Sequence, residues 1–224
     1  TGVDVVSGFF VPDPHSTFET ALAATTLPAL RDVNPERFLP SSRSVAYRKA
    51  AWEAVGGYPE WLHYCEDLIF DLRLREAGCR FSFAPGAVVA FRPRPNLGAF
   101  FRQYYRYARG DGKADLWRLR HAVRYGTYGL AAPVLILLAA LVSPWWALGL
   151  PLGLAAMLRT PYRRLAELWQ PLAPGSRLQA ALWLRLIRHT GDLANMIGYP
   201  VGVVWRWKRL QRTELRWRNV IRNA

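Results

Sequence analysis

Gly56-Gly57-Tyr58-Pro59 leads into Glu66-Asp67-Leu68-Ile69-Phe70-Asp71-Leu72-Arg73-Leu74-Arg75-Glu76-Ala77-Gly78 near the middle of the first half of this chain. Leu68, Ile69, Leu72 and Leu74 recur at near-helical spacing, and Gly78 supplies a stop, so the pattern predicts a helix over residues 66–77. Glu66 and Asp67 fall in its first turn, where free backbone N–H groups and the helix dipole favour negative charge. A carboxylate held there stays ionised at neutral pH and can take a proton from a hydroxyl brought against it. An acidic first turn also has a plain structural reading, in which the pair only caps the helix. Asp71 and Arg75, four apart, are expected to form a surface pair.

Outward from this helix the segments alternate between strand and helix, which predicts an α/β fold. Residues 3–10 read as a strand. Ser16-Thr17-Phe18-Glu19 is a capping-box pattern that opens a short helix toward Leu27, where Pro28 ends it. Residues 31–40 read as loop, with Asn34-Pro35 as a turn signal. A helix over residues 47–55 ends at Gly56-Gly57. Cys79, Phe81 and Phe83 alternate with Arg80, Ser82 and Ala84 as one strand, and residues 87–91 form a second. Arg92-Pro93-Arg94-Pro95 then breaks regular structure before a helix over residues 97–109 that carries Gln103-Tyr104-Tyr105-Arg106-Tyr107. On its own, this aromatic segment also fits a helix that packs on the sheet or lies at a bilayer surface. Gly110-Asp111-Gly112 reads as a loop, able to fold over a bound molecule or simply to stop the helix.

Taken together, Ser41-Ser42-Arg43-Ser44 to Lys49, Gly56-Gly57-Tyr58, Glu66-Asp67, Arg73 to Gly78 and Gln103-x-x-Arg106-Tyr107 resemble the second half of a family 2 glycosyltransferase domain over residues 3–112. The resemblance implies a partial GT-A nucleotide-sugar transferase fold and inverting sugar transfer. It implies Asp67 as catalytic base with Glu66 as its acidic neighbour. Gln103, Arg106 and Tyr107 match the Gln-x-x-Arg-Trp element that borders donor diphosphate and acceptor sugar, with Tyr107 in place of Trp. Ser42 and Arg43 fall where the family lines its cleft. The family binds its nucleotide and a divalent metal, Mg or Mn, through an earlier half that includes an Asp-x-Asp element. This sequence contains no Asp-x-Asp. The expectation is therefore a C-terminal half of the catalytic domain, inactive alone, that holds no metal itself.

Charge divides the chain. Of its 30 Lys and Arg residues, 20 follow residue 101, together with only 5 of the 16 acidic ones, so that this part carries +15 and the first 101 residues −1 of the net +14. Residues 125–158 carry no charge at all. As one helix they would span about 50 Å, against a hydrocarbon core of about 30 Å. A hairpin turning near Ser143-Pro144 fits better. Arg118, Arg120 and Arg124 precede the run and Arg159, Arg163 and Arg164 follow it, so the positive-inside rule puts both ends in the cytoplasm.

Residues 178–207 are apolar but carry Arg185, Arg188, His189 and Asp192. They are expected to form an interfacial or re-entrant helix, or one packed on the hairpin, with His189 and Asp192 paired. The Trp- and Arg-rich tail from 205 to 222 is expected on anionic headgroups. The reading is thus a transferase half over 1–112 and an α-helical, membrane-associated region over 113–224. Its partners are a nucleotide-sugar donor, a lipid-linked or polysaccharide acceptor and membrane lipids, at a multi-pass cell-membrane location with the catalytic domain cytoplasmic. A non-catalytic membrane adaptor with a degenerate transferase fold is the alternative. Nucleic-acid binding through the basic half is disfavoured by the uncharged run and by the lack of any nucleic-acid motif. Cys65 and Cys79 lack metal spacing and are expected as reduced thiols.

Overall fold

The computed structural model describes residues 2–215 and 217; residues 216 and 218–222 of the tail, read above as headgroup-binding, lie outside the described residues. A three-stranded sheet of order β2-β1-β3 organises the first half. Its central strand β1 (Val5–Pro12) pairs antiparallel with β2 (Val45–Tyr47) and parallel with β3 (Phe81–Phe91). β1 is central because Val5, Ser7 and Phe9 alternate onto a buried face.

β3 is one strand where the sequence suggests two. Ser7 faces Phe83 but Phe9 faces Val88, so residues 84–87 form an irregularity opposite Gly8. The Pro85-Gly86 pair that reads as a break is absorbed as this bulge.

Helix α1 (Thr17–Thr26) starts as its pattern dictates, with Ser16 Oγ accepting the Glu19 N–H at 3.1 Å. The Glu19 carboxylate accepts the His15 N–H at 2.7 Å and pairs with Arg92 at 3.0 Å. The Arg92 guanidinium accordingly holds its carboxyl below the usual range. Helices α2 (Lys49–Ala54) and α3 (Glu66–Glu76) lie against the sheet, where Val5, Ala51, Val55, Phe70 and Leu74 form one apolar cluster.

Asp71 does not form the surface pair expected of it. It is 3% exposed, while Arg75 donates instead to the carbonyls of Glu36 and Phe38 and lies over the Phe81 ring. The face of α3 that carries Asp71 is the one turned inward, together with Phe70 and Leu74.

Helix α4 (Leu97–Ala114) is capped by Asn96 and runs straight through Gly110-Asp111-Gly112, which is not a loop. Both glycines are sites of close approach. A Cβ at Gly110 would lie 2.7 Å from the Tyr64 carbonyl oxygen, and one at Gly112 would lie 2.8 Å from the Val203 nitrogen.

The second half is helical. Helix α5 (Arg118–Gly126), a π turn (Thr127–Ala131) and α6 (Ala132–Leu141) form one continuous helix, Arg118–Leu141. The widened turn lies just ahead of Pro133, whose ring would otherwise crowd the preceding turn. Among the described residues this is the one helix long and apolar enough to cross a membrane, and its most apolar window is unburied. The chain turns at residues 142–148 and returns as α7 (Gly149–Leu168), followed by α8 (Pro174–Trp207).

α8 packs chiefly on α4 and α1 rather than on the α6–α7 hairpin. Small residues permit this. A Cβ on Gly202 would meet the Arg109 carbonyl and come within 2.9 Å of Gly112 Cα, and one on Gly198 would meet the Tyr105 carbonyl. Ala108 and Ala194 are fully buried at the same contact. The two backbones therefore touch almost directly, locking the aromatic helix α4 to the helical half. A core of Phe18, Leu22, Phe100, Leu158, Leu165, Leu184 and Ile187 closes around α1, α4, α7 and α8.

His189 and Asp192 do not pair directly. The Tyr128 hydroxyl joins them, donating to Asp192 at 2.9 Å and lying 3.0 Å from His189 Nδ1. Of the tail tryptophans, Trp207 is exposed, while Trp217 and Trp205 pack on protein. Trp217 is buried with Leu62, Ile69, Ala114 and Leu116, and its Nε1 donates to the Ala114 carbonyl. Trp205 stacks near Trp61 and lies under Lys113 and Arg209. Both rings pack on protein because α8 carries them back over α3 and α4.

Candidate active site

Cys65 enters α3 in the left-handed conformation (φ 67°), which is strained for a side chain other than Gly or Asn. Its thiol donates to the Tyr107 carbonyl and the Asp111 carboxylate, each at 3.4 Å, and so ties the start of α3 to α4. Burial, and then the Asp111 charge, push the Cys65 thiol far above the usual range, so it is no nucleophile.

The turn delivers Glu66 and Asp67 into a cleft of about 480 Å³ between α3, α4 and the start of α5. Asp67 Oδ1 accepts the Leu68 N–H at 2.8 Å, and Ser42 Oγ reaches Asp67 Oδ2 at 3.5 Å. Glu66 Oε2 is buried without a hydrogen-bond partner among the described residues. One turn later, Asp71 is pushed up to about 8 by burial and then by the Asp67 charge. At neutral pH Asp71 therefore keeps its proton.

Ser42, Arg43, Glu66, Asp67 and Tyr107 all line this cleft. Gln103 lines an adjoining cavity that shares Arg43, Arg94, Tyr104 and Tyr107 with it. Its Nε2 donates to the Tyr107 hydroxyl at 2.7 Å, and its Oε1 accepts from Arg94 Nε at 3.1 Å. The Gln-x-x-x-Tyr spacing sets these two side chains one helical turn apart, which is why they meet. Arg106 lines neither cavity. Its guanidinium donates to the Tyr64 hydroxyl at 2.9 Å and rests against that ring, so it braces the wall of the cleft from outside.

Sequence reasoning missed Arg94, Trp117, Arg120 and Asn195. Arg94 sits between two prolines and reads as a breaker. Arg120 reads as a flank of the apolar run, Trp117 has no sequence pattern that singles it out, and Asn195 comes from α8, whose docking on α4 has no local signature. Trp117 is the second strained residue on the cleft wall (φ 54°), and Arg120 lies 4.8 Å over its ring. Among the described residues, no ion pair holds Arg43, Arg94 or Arg120. Three guanidinium groups thus share a cleft of ligand size with the carboxylates of Glu66, Asp67 and Asp111. The arrangement can bind an oxygen-rich anion and take a proton beside it.

No group of three His, Cys, Asp or Glu side chains that could hold a metal occurs among the described residues. The donor set of these residues therefore does not fit a divalent metal.

Neither the curated proteins nor the solved structures contain a match to the sequence. The model of the glycosyl transferase family group 2 matches residues 11–159. The matched segment contains every residue lining the Asp67 cleft except Asn195, continues past residue 112 and takes in the whole of the α5–α6 helix and its return into α7. With about two thirds of its length under that match, the chain belongs to the glycosyl transferase family group 2.

Proposed function

We propose that this transferase works by inversion, with Asp67 as the base, and that it acts at a membrane. The acceptor hydroxyl lies against Asp67 and its oxygen attacks the anomeric carbon of a nucleotide sugar. The bond from that carbon to the diphosphate oxygen breaks, its electron pair leaves with the diphosphate, and the hydroxyl proton passes to Asp67. The observation that carries this reading is the placement of Asp67 in a cleft also lined by Arg43, Arg94 and Arg120, which have no carboxylate partner among the described residues.

Each residue then has a physical task. Ser42 sits within reach of Asp67 Oδ2 and restricts how that carboxylate turns. Arg43 and Arg94, with Gln103 aligned by Tyr107, face the side where the departing diphosphate gathers charge, a fixed electrostatic contribution of the oxyanion-hole type. Tyr107 offers a ring to a sugar face.

The membrane reading rests on the unburied apolar helix Arg118–Leu141, whose arginine-bearing start borders the cleft. It places the acceptor among lipid-linked or polysaccharide molecules.

The test is sugar transfer by membranes carrying the full-length gene product, supplied with a panel of labelled nucleotide sugars, with wild type beside Asp67→Asn. Transfer from one donor that falls at least 100-fold in Asp67→Asn supports the reading. Equal transfer by both proteins removes Asp67 from the chemistry. No transfer from any donor would favour a membrane adaptor.

A further inference from the structure

Behind the turn that presents Glu66 and Asp67 lies a row of polar side chains with no part in the transfer chemistry. The row begins at Cys65, whose left-handed backbone is unfavourable for a side chain and is held by its surroundings. The chain here sits directly on α4. A Cβ at Gly110 would lie 2.7 Å from the Tyr64 carbonyl oxygen and 2.8 Å from Cys65 Sγ. Asp111, on the same helix, receives the Cys65 thiol at Oδ1.

The other oxygen of Asp111 faces His121. His121 Nε2 lies 3.2 Å from Asp111 Oδ2, and Arg124 Nη1 lies 3.1 Å from His121 Nδ1. A guanidinium can only donate, so Nδ1 accepts and the ring proton sits on Nε2, aimed at Asp111. The imidazole is 1% exposed and stacks on Tyr199 with 3.8 Å between ring centres, which fixes its plane. Arg124 donates in turn through Nε to Asp192 at 2.8 Å. One row of hydrogen bonds therefore runs from Asp192 on α8, through Arg124 and His121 on α5 and Asp111 on α4, to Cys65 at the entry of α3. Each oxygen of Asp111 has its own donor, so the carboxylate turns only by breaking one of these bonds.

We propose that His121 is a positioning residue for sugar transfer. By donating to Asp111 it holds the Cys65 thiol, and through Cys65 it holds the turn that aims Asp67 into the cleft. The role in transfer rests on the reading of Asp67 as base given above. The same row fastens that turn to the first turns of the helix Arg118–Leu141, which carries the apolar run.

The test separates the hydrogen bonds of His121 from its packing. His121→Gln keeps an amide N–H for Asp111 and an amide oxygen for Arg124 but loses the ring. His121→Phe keeps a ring against Tyr199 and loses both polar atoms. In membranes carrying the full-length gene product, His121→Phe should lower kcat on the order of 10- to 100-fold with KM for the donor within about twofold, because a misplaced base costs rate without costing binding. His121→Gln should keep kcat within about threefold of wild type. Packing alone predicts the opposite order. Cys65→Ala and Cys65→Ser repeat the comparison from the other end of the row and decide the matter if His121→Phe does not fold. The serine hydroxyl can donate as the thiol does, so Cys65→Ser should keep the kcat that Cys65→Ala loses. Independently of activity, the infrared S–H stretching band of Cys65, identified as the band that Cys65→Ala removes, should move in His121→Phe and stay in place in His121→Gln.

Wild-type kcat in His121→Phe, or an equal loss in His121→Gln, would overturn the positioning role. A Cys65 band unmoved in His121→Phe would overturn the linkage. A moved band with transfer that is indifferent to Asp67→Asn would leave the linkage standing and sink Asp67 as base. Asp67-dependent transfer at full kcat in His121→Phe would do the reverse.

Discussion

Replacing Gly202 by alanine adds one methyl group at the tightest point between α8 and α4. The new Cβ would meet the Arg109 carbonyl and lie 2.8 Å from the Lys113 nitrogen and 2.9 Å from Gly112 Cα, where ordinary contact begins at 3.4 Å. Every one of those neighbours is backbone, so no side-chain rotation relieves the clash and the helices must part. Forcing a methyl into a packed interface costs about 1–3 kcal/mol. Alanine returns about 1 kcal/mol through helix propensity. The backbone contact puts this site at the upper end of that cost, so the net expected loss is about 1–2 kcal/mol.

Gly126→Ala is the matched control. It is also helical, but its Cβ meets nothing within 4 Å, so only the propensity gain should appear. Unfolding of the purified protein in detergent, followed by far-ultraviolet circular dichroism, should show Gly202→Ala melting below wild type and Gly126→Ala at or above it. Because α4 carries Gln103 and Tyr107, the same substitution should lower transfer while Gly126→Ala does not. A Gly202→Ala protein as stable as wild type would refute the direct backbone packing of α4 on α8.

Three further outcomes follow from the site. Asp71 holds its proton up to about pH 8 in the fold but only to about 4 when unfolded, so the native state binds the extra proton between these values. Stability should therefore fall as pH rises from about 4 to 8, with a slope of at most about 1.4 kcal/mol per pH unit, and Asp71→Asn should flatten that slope in urea titrations at successive pH values. Trp117→Gly should relieve a left-handed backbone and raise stability by about 1 kcal/mol, yet reduce transfer, because it strips the ring beneath Arg120 from the cleft wall. Arg124→Gln should cost about 2–4 kcal/mol in chemical denaturation, since it leaves the buried Asp192 with Arg188 as its one remaining cationic partner among the described residues.

Local signals were legible wherever a local cause produced them. Ser16 and Glu19 mark the start of α1 because both reach backbone groups within a few residues. The alternation of β1 and the apolar spacing of α3 follow from the faces they bury. The same reading fails where the cause is tertiary. Gly110 and Gly112 read as a loop, but their missing side chains admit Tyr64 and α8. Asp71 reads as a surface charge because burial by α2 and the sheet has no trace in its i, i+4 neighbours. Trp205 and Trp217 read as membrane anchors, and only the long return of α8 explains why they pack on protein.

At the cleft, Asp67, Glu66, Ser42, Arg43 and Tyr107 were nameable from the order and spacing of family-like elements. Arg94, Trp117 with Arg120, and Asn195 come from three separate stretches whose convergence depends on how α4, α5 and α8 pack.

The most direct test of the central claim is the anomeric configuration of the linkage made from a nucleotide sugar, read by NMR in the product of the full-length gene product in its membranes. Direct attack by a hydroxyl deprotonated at Asp67 predicts a configuration opposite to that of the donor. A product that retains the donor's configuration would contradict the account.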